Sequence, residues 1–152
     1  MNVKLLNILL ADDDIDDCIL FKEAVDEYLP PVHLKEVHDG EQLMRLLTDE
    51  SNEIPHALFL DLNMPRKNGF ECLSEIKLSE KLKHLTVIIF STSLEQTVVN
   101  RLYENGAQHF IRKPPGFLQF KTVIQQTLTR IIQGNISKST KETFVLKVQN
   151  AL

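Results

Sequence analysis

Three aspartates, a serine and a lysine stand where short apolar runs end. Leu5 to Ala11, interrupted by Asn7, runs into Asp12 and Asp13; Ala57-Leu58-Phe59-Leu60 runs into Asp61; Leu85 to Phe90 stops at Ser91; His109-Phe110-Ile111 ends near Lys113. Short continuous apolar runs closed by polar residues read as strands buried on both faces of a parallel sheet. In such a sheet the polar ends converge on one rim. Three carboxylates within a few Å repel by roughly 1–4 kcal/mol per pair at 4 Å, so the cluster calls for a cation. An all-oxygen ligand set suits Mg²⁺ or Mn²⁺, which keep several waters and leave positions for a phosphoryl oxygen. Acids after strands also serve as turn residues and helix caps, and Asp14 reads as the N-cap of the next helix. For Asp12 and Asp13 alone, capping and ligation are an even choice; Asp61 and Lys113 on the same rim tip it toward a site.

The elements that must position these residues alternate. A weaker strand candidate, Val32 to Val37, alternates apolar and polar residues and belongs at a sheet edge. Between the strands lie stretches of helical period. The first carries a stripe of Ile15, Cys18, Ile19, Lys22, Val25, Tyr28 and Leu29. Leu43, Leu46 and Leu47 mark the second helix, and Phe70, Leu73 and Ile76 the third. Leu94, Val98, Val99 and Leu102 mark the fourth, and Phe117, Phe120, Ile124, Leu128 and Ile131 the fifth. Five strand and helix pairs predict an α/β domain, (βα)5, with a doubly wound parallel sheet and ligands beyond its carboxyl edge. The domain is expected over residues 1–132. Residues 133–152 read as a tail, polar at first and apolar from Phe144 to Val148, too short for a second core or an effector domain.

The whole chain, 152 residues with 43% hydrophobic and 25% charged residues, has the composition of one ordinary globular domain. Its net charge of −4 argues against a general attraction to nucleic acid or to an anionic membrane. Cys18 and Cys72 have no second cysteine nearby, which excludes a CxxC redox motif and a thiolate zinc site. The N-terminal apolar run is too short to span a membrane and lacks a signal-peptide cleavage pattern, so a cytoplasmic protein is expected. The five histidines, without metal-ligand spacing, read as surface or strand-flanking residues.

The run Ile8-Leu9-Leu10-Ala11-Asp12-Asp13 is followed by Leu58-Phe59-Leu60-Asp61-Leu62-Asn63-Met64-Pro65 with Asn68-Gly69. Ile89-Phe90-Ser91 and Phe110-Ile111-Arg112-Lys113-Pro114 come after it. Together they resemble the receiver domain of bacterial two-component response regulators, the CheY-like family, over about Lys4 to Ile132. The resemblance implies a five-stranded flavodoxin-like sheet of order 2-1-3-4-5. It implies Asp61 as phosphoacceptor, and Asp12, Asp13, Asp61 and the backbone carbonyl of Asn63 around Mg²⁺ or Mn²⁺. Lys113 would then offset phosphoryl charge and Ser91 would bond a phosphoryl oxygen. Phe110 matches an aromatic switch position, although a core aromatic is the plainer reading. Gly69 follows Asn68 in a turn opening the third helix, where a positive φ is tolerated, and Lys113-Pro114 resembles the family's cis peptide.

The function implied is a stand-alone switch. It would take a phosphoryl group from a histidine kinase or phosphotransfer protein, catalysing only its own phosphorylation and dephosphorylation. Output would pass to a downstream protein, or to a second copy, through the fourth helix, fifth strand and fifth helix, near Glu95, Asn100, Tyr103 and Gln108. The alternative is a Mg²⁺-dependent phosphohydrolase with an aspartyl nucleophile. That chemistry wants a second aspartate as general acid, and Asp61-Leu62-Asn63 offers an amide that has no proton to give up.

Overall fold

A computed structural model describes residues 5–136 and 139–147; residues 1–4, 137–138 and 148–152, including Lys4 and Val148, lie outside the description. The order is β1 (Leu6–Ala11), α1 (Ile15–Asp26), β2 (Val32–Val37), α2 (Gly40–Thr48), β3 (Ala57–Leu60), α3 (Gly69–Leu78), β4 (Thr86–Ser91), α4 (Gln96–Glu104), β5 (His109–Arg112), α5 (Phe117–Ile132) and β6 (Val145–Leu146). All pairings are parallel, in the order β2-β1-β3-β4-β5-β6. The expected order therefore stands, with one strand added beside β5.

Pleating sends alternate residues of each strand to opposite faces. Leu9, Ala11, Leu58, Leu60, Val87, Ile89 and Phe110 pack with Leu43, Leu73, Ile76 and Leu102 of α2, α3 and α4. Ile8, Leu10, Phe59, Ile88, Phe90 and Ile111 pack with Phe21 of α1 and Phe120, Ile124 and Leu128 of α5. Each such burial stabilises by about 1.5–3 kcal/mol. Phe21 meets Phe59 edge-on at 4.9 Å, and Phe90 meets Phe120 at 5.2 Å. These two covered faces explain why β1, β3 and β4 are mostly apolar, broken only by Asn7 in β1 and by Thr86 and Ser91 at the ends of β4, while β2, at the edge, alternates.

Two helical faces differ from the sequence reading. In α1 the buried residues are Cys18, Phe21, Ala24 and Val25, whereas Ile15 and Ile19 point to solvent. Phe21 fills the seam between sheet and α5, and that large ring sets the rotation of the helix. Phe117, at the first turn of α5, is likewise exposed; Val123 and Thr127 are buried with the later stripe.

After α5 the chain returns to the sheet. Phe110 N donates to Phe144 O at 3.0 Å, and Phe110 and Ile111 pair with Val145 and Leu146. Phe144 is buried against Tyr103 and Phe110, so the apolar end of the tail covers the β5 edge.

Candidate functional site

Backbone hydrogen bonds hold the rim residues one step beyond their strands. Asp12 N donates to Val37 O at 3.1 Å, Asp61 N to Ala11 O at 2.9 Å, and Lys113 N to Ser91 O at 2.8 Å. Because these residues continue the ladder, their side chains share the rigidity of the sheet. Asp14 caps α1 through a bond from Asp17 N at 3.1 Å. Asn68 and Glu71 cap α3 reciprocally, at 3.0 and 3.2 Å.

The structure brings Asp12, Asp13 and Asp61 together: one carboxylate oxygen of each lies within 4.8 Å of the others. Asp12 and Asp61 are buried and Asp13 is exposed, so the cluster opens to solvent on one side. Hard oxygens at this separation fit a small divalent cation that keeps part of its water shell. Asn63 follows in the exposed loop after β3, and Ser91 is buried at the end of β4.

Lys113 is also buried, and its Nζ donates to Asp12 Oδ2 at 2.6 Å and to Asp17 Oδ2 at 2.8 Å, standing 4.0 Å from Asp61 Oδ1. The ring of Phe90 lies 5.5 Å from the ammonium. Burial alone would lower its pKa, but the bond to Asp12, then Asp17 and the charge on Asp61, carry it above the usual lysine range. Burial pushes the Asp61 carboxyl up to about 7; Lys113 opposes that, and Asp12 and Asp13 add to it. An acid that gives up its proton near neutrality is readily displaced from its protonated form by a cation.

Asp17 escapes sequence reasoning, since one aspartate among five in the stretch 12–17 carries no label. Its position at the third residue after the Asp14 cap was the available signal: the cap fixes the first turn of α1 and points that side chain at the rim. Gly69 does not use the backbone freedom that its turn would tolerate. Its φ is not positive, but a Cβ there would lie 2.4 Å from Asp61 O, so glycine is demanded by close approach to the phosphoacceptor candidate's own backbone. In the loop just before Gly69, Arg66 has a positive φ of 68°, and its guanidinium lies 3.9 Å from Asp39 and 3.7 Å from Glu41. Lys113–Pro114 is trans, the state X–Pro bonds favour by about 0.5–1 kcal/mol; among the described residues the cis bond is Leu29–Pro30.

On the expected output face, Glu95 is exposed, but Asn100, Tyr103 and Gln108 are half-buried. Tyr103 lies edge-on to Phe144 at 5.4 Å, and Gln108 Oε1 accepts from Val87 N at 2.7 Å, which ties it to β4. Phe110 is fully buried, its ring 6.5 Å from Phe144. His109 is buried as well, not a surface residue: Nδ1 lies 3.2 Å from Phe144 O, and desolvation lowers its pKa.

A doubly wound parallel sheet carrying an acidic pocket and a buried lysine at its carboxyl edge has the architecture of a receiver domain. The response regulator receiver domain matches residues 8–125, and the chain belongs to that family, the receivers of two-component signalling. It is similar to response regulator Rcp1 of Synechocystis, with 32% identity over 110 residues, 70% of this chain and 75% of that protein. It is 28% identical over 122 residues to a probable methanogenesis regulatory protein, FilR2, of Methanothrix harundinacea, covering 78% of this chain and 79% of that one. Among solved structures, the phosphorylated cyanobacterial phytochrome response regulator RcpA superposes with a TM-score of 0.81 at 27% identity, over 86% of this chain and 96% of that one. The Mn²⁺-bound form of response regulator Rcp1 gives 0.78 at 26% identity, over 89% and 99%. Receivers are signalling switches rather than classical enzymes. Among the described residues, no helix is long and apolar enough to cross a membrane.

Proposed function

We propose that Asp61 is the phosphoacceptor of a signalling switch charged by a histidine kinase or phosphotransfer protein. The observation that carries this reading is the placement of the buried Asp61 carboxylate within 4.8 Å of Asp12 and Asp13 and 4.0 Å from the Lys113 ammonium. An Asp61 oxygen attacks phosphorus; its bond to phosphorus forms as the donor's P–N bond breaks, and that electron pair leaves on the donor imidazole. Asp12, Asp13, Asp61 and the backbone carbonyl of Asn63 would hold Mg²⁺ or Mn²⁺, which when bound neutralises charge on the phosphoryl oxygens. Lys113 neutralises another of those oxygens, and the Ser91 hydroxyl donates to a third. The relatives support this: RcpA is known phosphorylated, and Rcp1 with Mn²⁺ bound.

Output passes through α4, β5 and α5 to a protein partner or a second copy. Ser91 and Lys113 sit at the ends of β4 and β5, and Phe110, three residues before Lys113, carries the change toward Tyr103 and Phe144. Residues 1–132 form the receiver unit, and residues 133–152 its tail. The site of action is the cytoplasm, without nucleic acid or membrane as partner. Incubation with acetyl phosphate and Mg²⁺, borohydride trapping and mass spectrometry test the assignment. The label is expected on Asp61; a label on Ser91 or on a histidine overturns it.

A further inference from the structure

Lys113 is shared among three carboxylates with unequal claims. Its ammonium has three donors. One goes to Asp12 at 2.6 Å and one to Asp17 at 2.8 Å, while Asp61 stands beyond hydrogen-bond distance at 4.0 Å. A phosphoryl group on Asp61 adds a new anion on the side of the ammonium that its third donor leaves open, and each step of Lys113 toward it loosens the present partners. The two partners differ. The Asp12 side chain is 1% exposed and fixed at the end of β1, whereas that of Asp17 is 22% exposed on the first turn of α1. Releasing Asp17 returns a carboxylate to water; releasing Asp12 leaves a charge in the protein interior, which costs far more. Asp17 also adds a negative charge beside a pocket that is to hold a phosphoryl dianion, so it opposes that state twice, as competitor for Lys113 and as a like charge.

We propose that Asp17 is a positioning residue that parks Lys113 away from Asp61 in the unphosphorylated protein and surrenders it when a phosphoryl group arrives. The proposal rests on Asp61 being the acceptor. It assigns Asp17 a part in setting how long the charged form lasts: an anion that competes for Lys113 favours loss of the phosphoryl group.

The test uses the full chain, with beryllofluoride and Mg²⁺ as the probe of the phosphorylated state. Asp17→Asn, which keeps the shape and removes the charge, is expected to bind beryllofluoride about threefold to tenfold more tightly than wild type by calorimetric titration. The same variant should unfold at lower urea concentration in the absence of both ions, because Lys113 has lost a partner. Opposite signs in the two readouts mark a competitor; a merely structural residue weakens both. Asp16→Asn controls for net charge and should change affinity less than about twofold, and Asp17→Glu should return it toward wild type. Independently of any variant, the wild-type complex with beryllofluoride should show Lys113 Nζ more than about 3.5 Å from the Asp17 carboxylate, outside hydrogen-bond distance. Equal or weaker binding by Asp17→Asn, or a Lys113–Asp17 bond that persists in the complex, overturns the proposal and leaves Asp61 as acceptor. Failure of wild type to bind the probe at all overturns both.

Discussion

Phe144 and Phe110 face each other across the last strand pair, with ring centroids 6.5 Å apart and the Phe110 amide donating to the Phe144 carbonyl at 3.0 Å. The tail thereby touches the strand that leads to Lys113. Phe144 is 1% exposed, so Phe144→Ala opens a cavity beneath Tyr103 and Phe110. The expected cost is about 3 kcal/mol, the low end for a buried Phe→Ala change, since the site sits near an edge that can partly collapse. Urea unfolding checks it: a loss under about 0.5 kcal/mol, the range of ordinary surface substitutions, means that the tail is not docked.

Gly69 is held where a side chain does not fit. A Cβ would come within 2.4 Å of Asp61 O and 2.8 Å of Leu62 Cα, both backbone atoms that move only by displacing Asp61 or its neighbour. Gly69→Ala should therefore cost about 1–3 kcal/mol of stability, as overpacking does, and lower the rate of phosphorylation by acetyl phosphate as well. Wild-type phosphorylation in a destabilised Gly69→Ala protein would show that the shift is absorbed by α3 and not by Asp61.

Asp13 separates ligation from folding. It is the exposed member of the carboxylate cluster, so Asp13→Ala should keep urea stability within about 0.5 kcal/mol of wild type in chelator. The same change should remove most Mg²⁺ binding and abolish uptake of phosphate from a small donor. Unchanged Mg²⁺ affinity would place the ion elsewhere.

The rim was legible in the sequence because buried parallel strands cannot end quietly. Asp12, Asp61, Ser91 and Lys113 each follow an apolar run, and the ladder hydrogen bonds carry each of them to the same edge. What periodicity could not supply was rotation and contact at a distance. The α1 stripe through Ile15 and Ile19 is as regular as the one through Phe21 and Val25; only the space between β3, β4 and α5, filled by a ring, selects the second. Asp17 looked like one more acid in a run, because its meaning depends on a lysine 96 positions away. β6 was hidden for a related reason: two paired residues are too few to show a period, and Phe144 declares itself only against Phe110 and Tyr103.

Asp61 makes stability depend on pH in a definite direction. Its carboxyl titrates at about 7 in the folded protein against 3.8 when unfolded, because burial outweighs the attraction of Lys113. Below about pH 4 both states hold the proton and the group contributes its full share. Between pH 4 and 7 the unfolded chain loses the proton while the folded one keeps it, so stability falls as pH rises. The total is roughly 4 kcal/mol at most, and less where water reaches the open side of the site. Lys113 adds nothing to the slope here, since its raised pKa loses stability only in strong alkali. In metal-free protein, Asp61→Asn should remove this part of the slope and be more stable than wild type at pH 8, with Lys113 still bonded to Asp12 and Asp17. Mg²⁺ should flatten the wild-type curve in the same window, because it binds the ionised form. Urea unfolding from pH 4.5 to 8, with and without Mg²⁺, measures all three; parallel curves for wild type and Asp61→Asn would mean that the Asp61 carboxyl is ionised throughout the range.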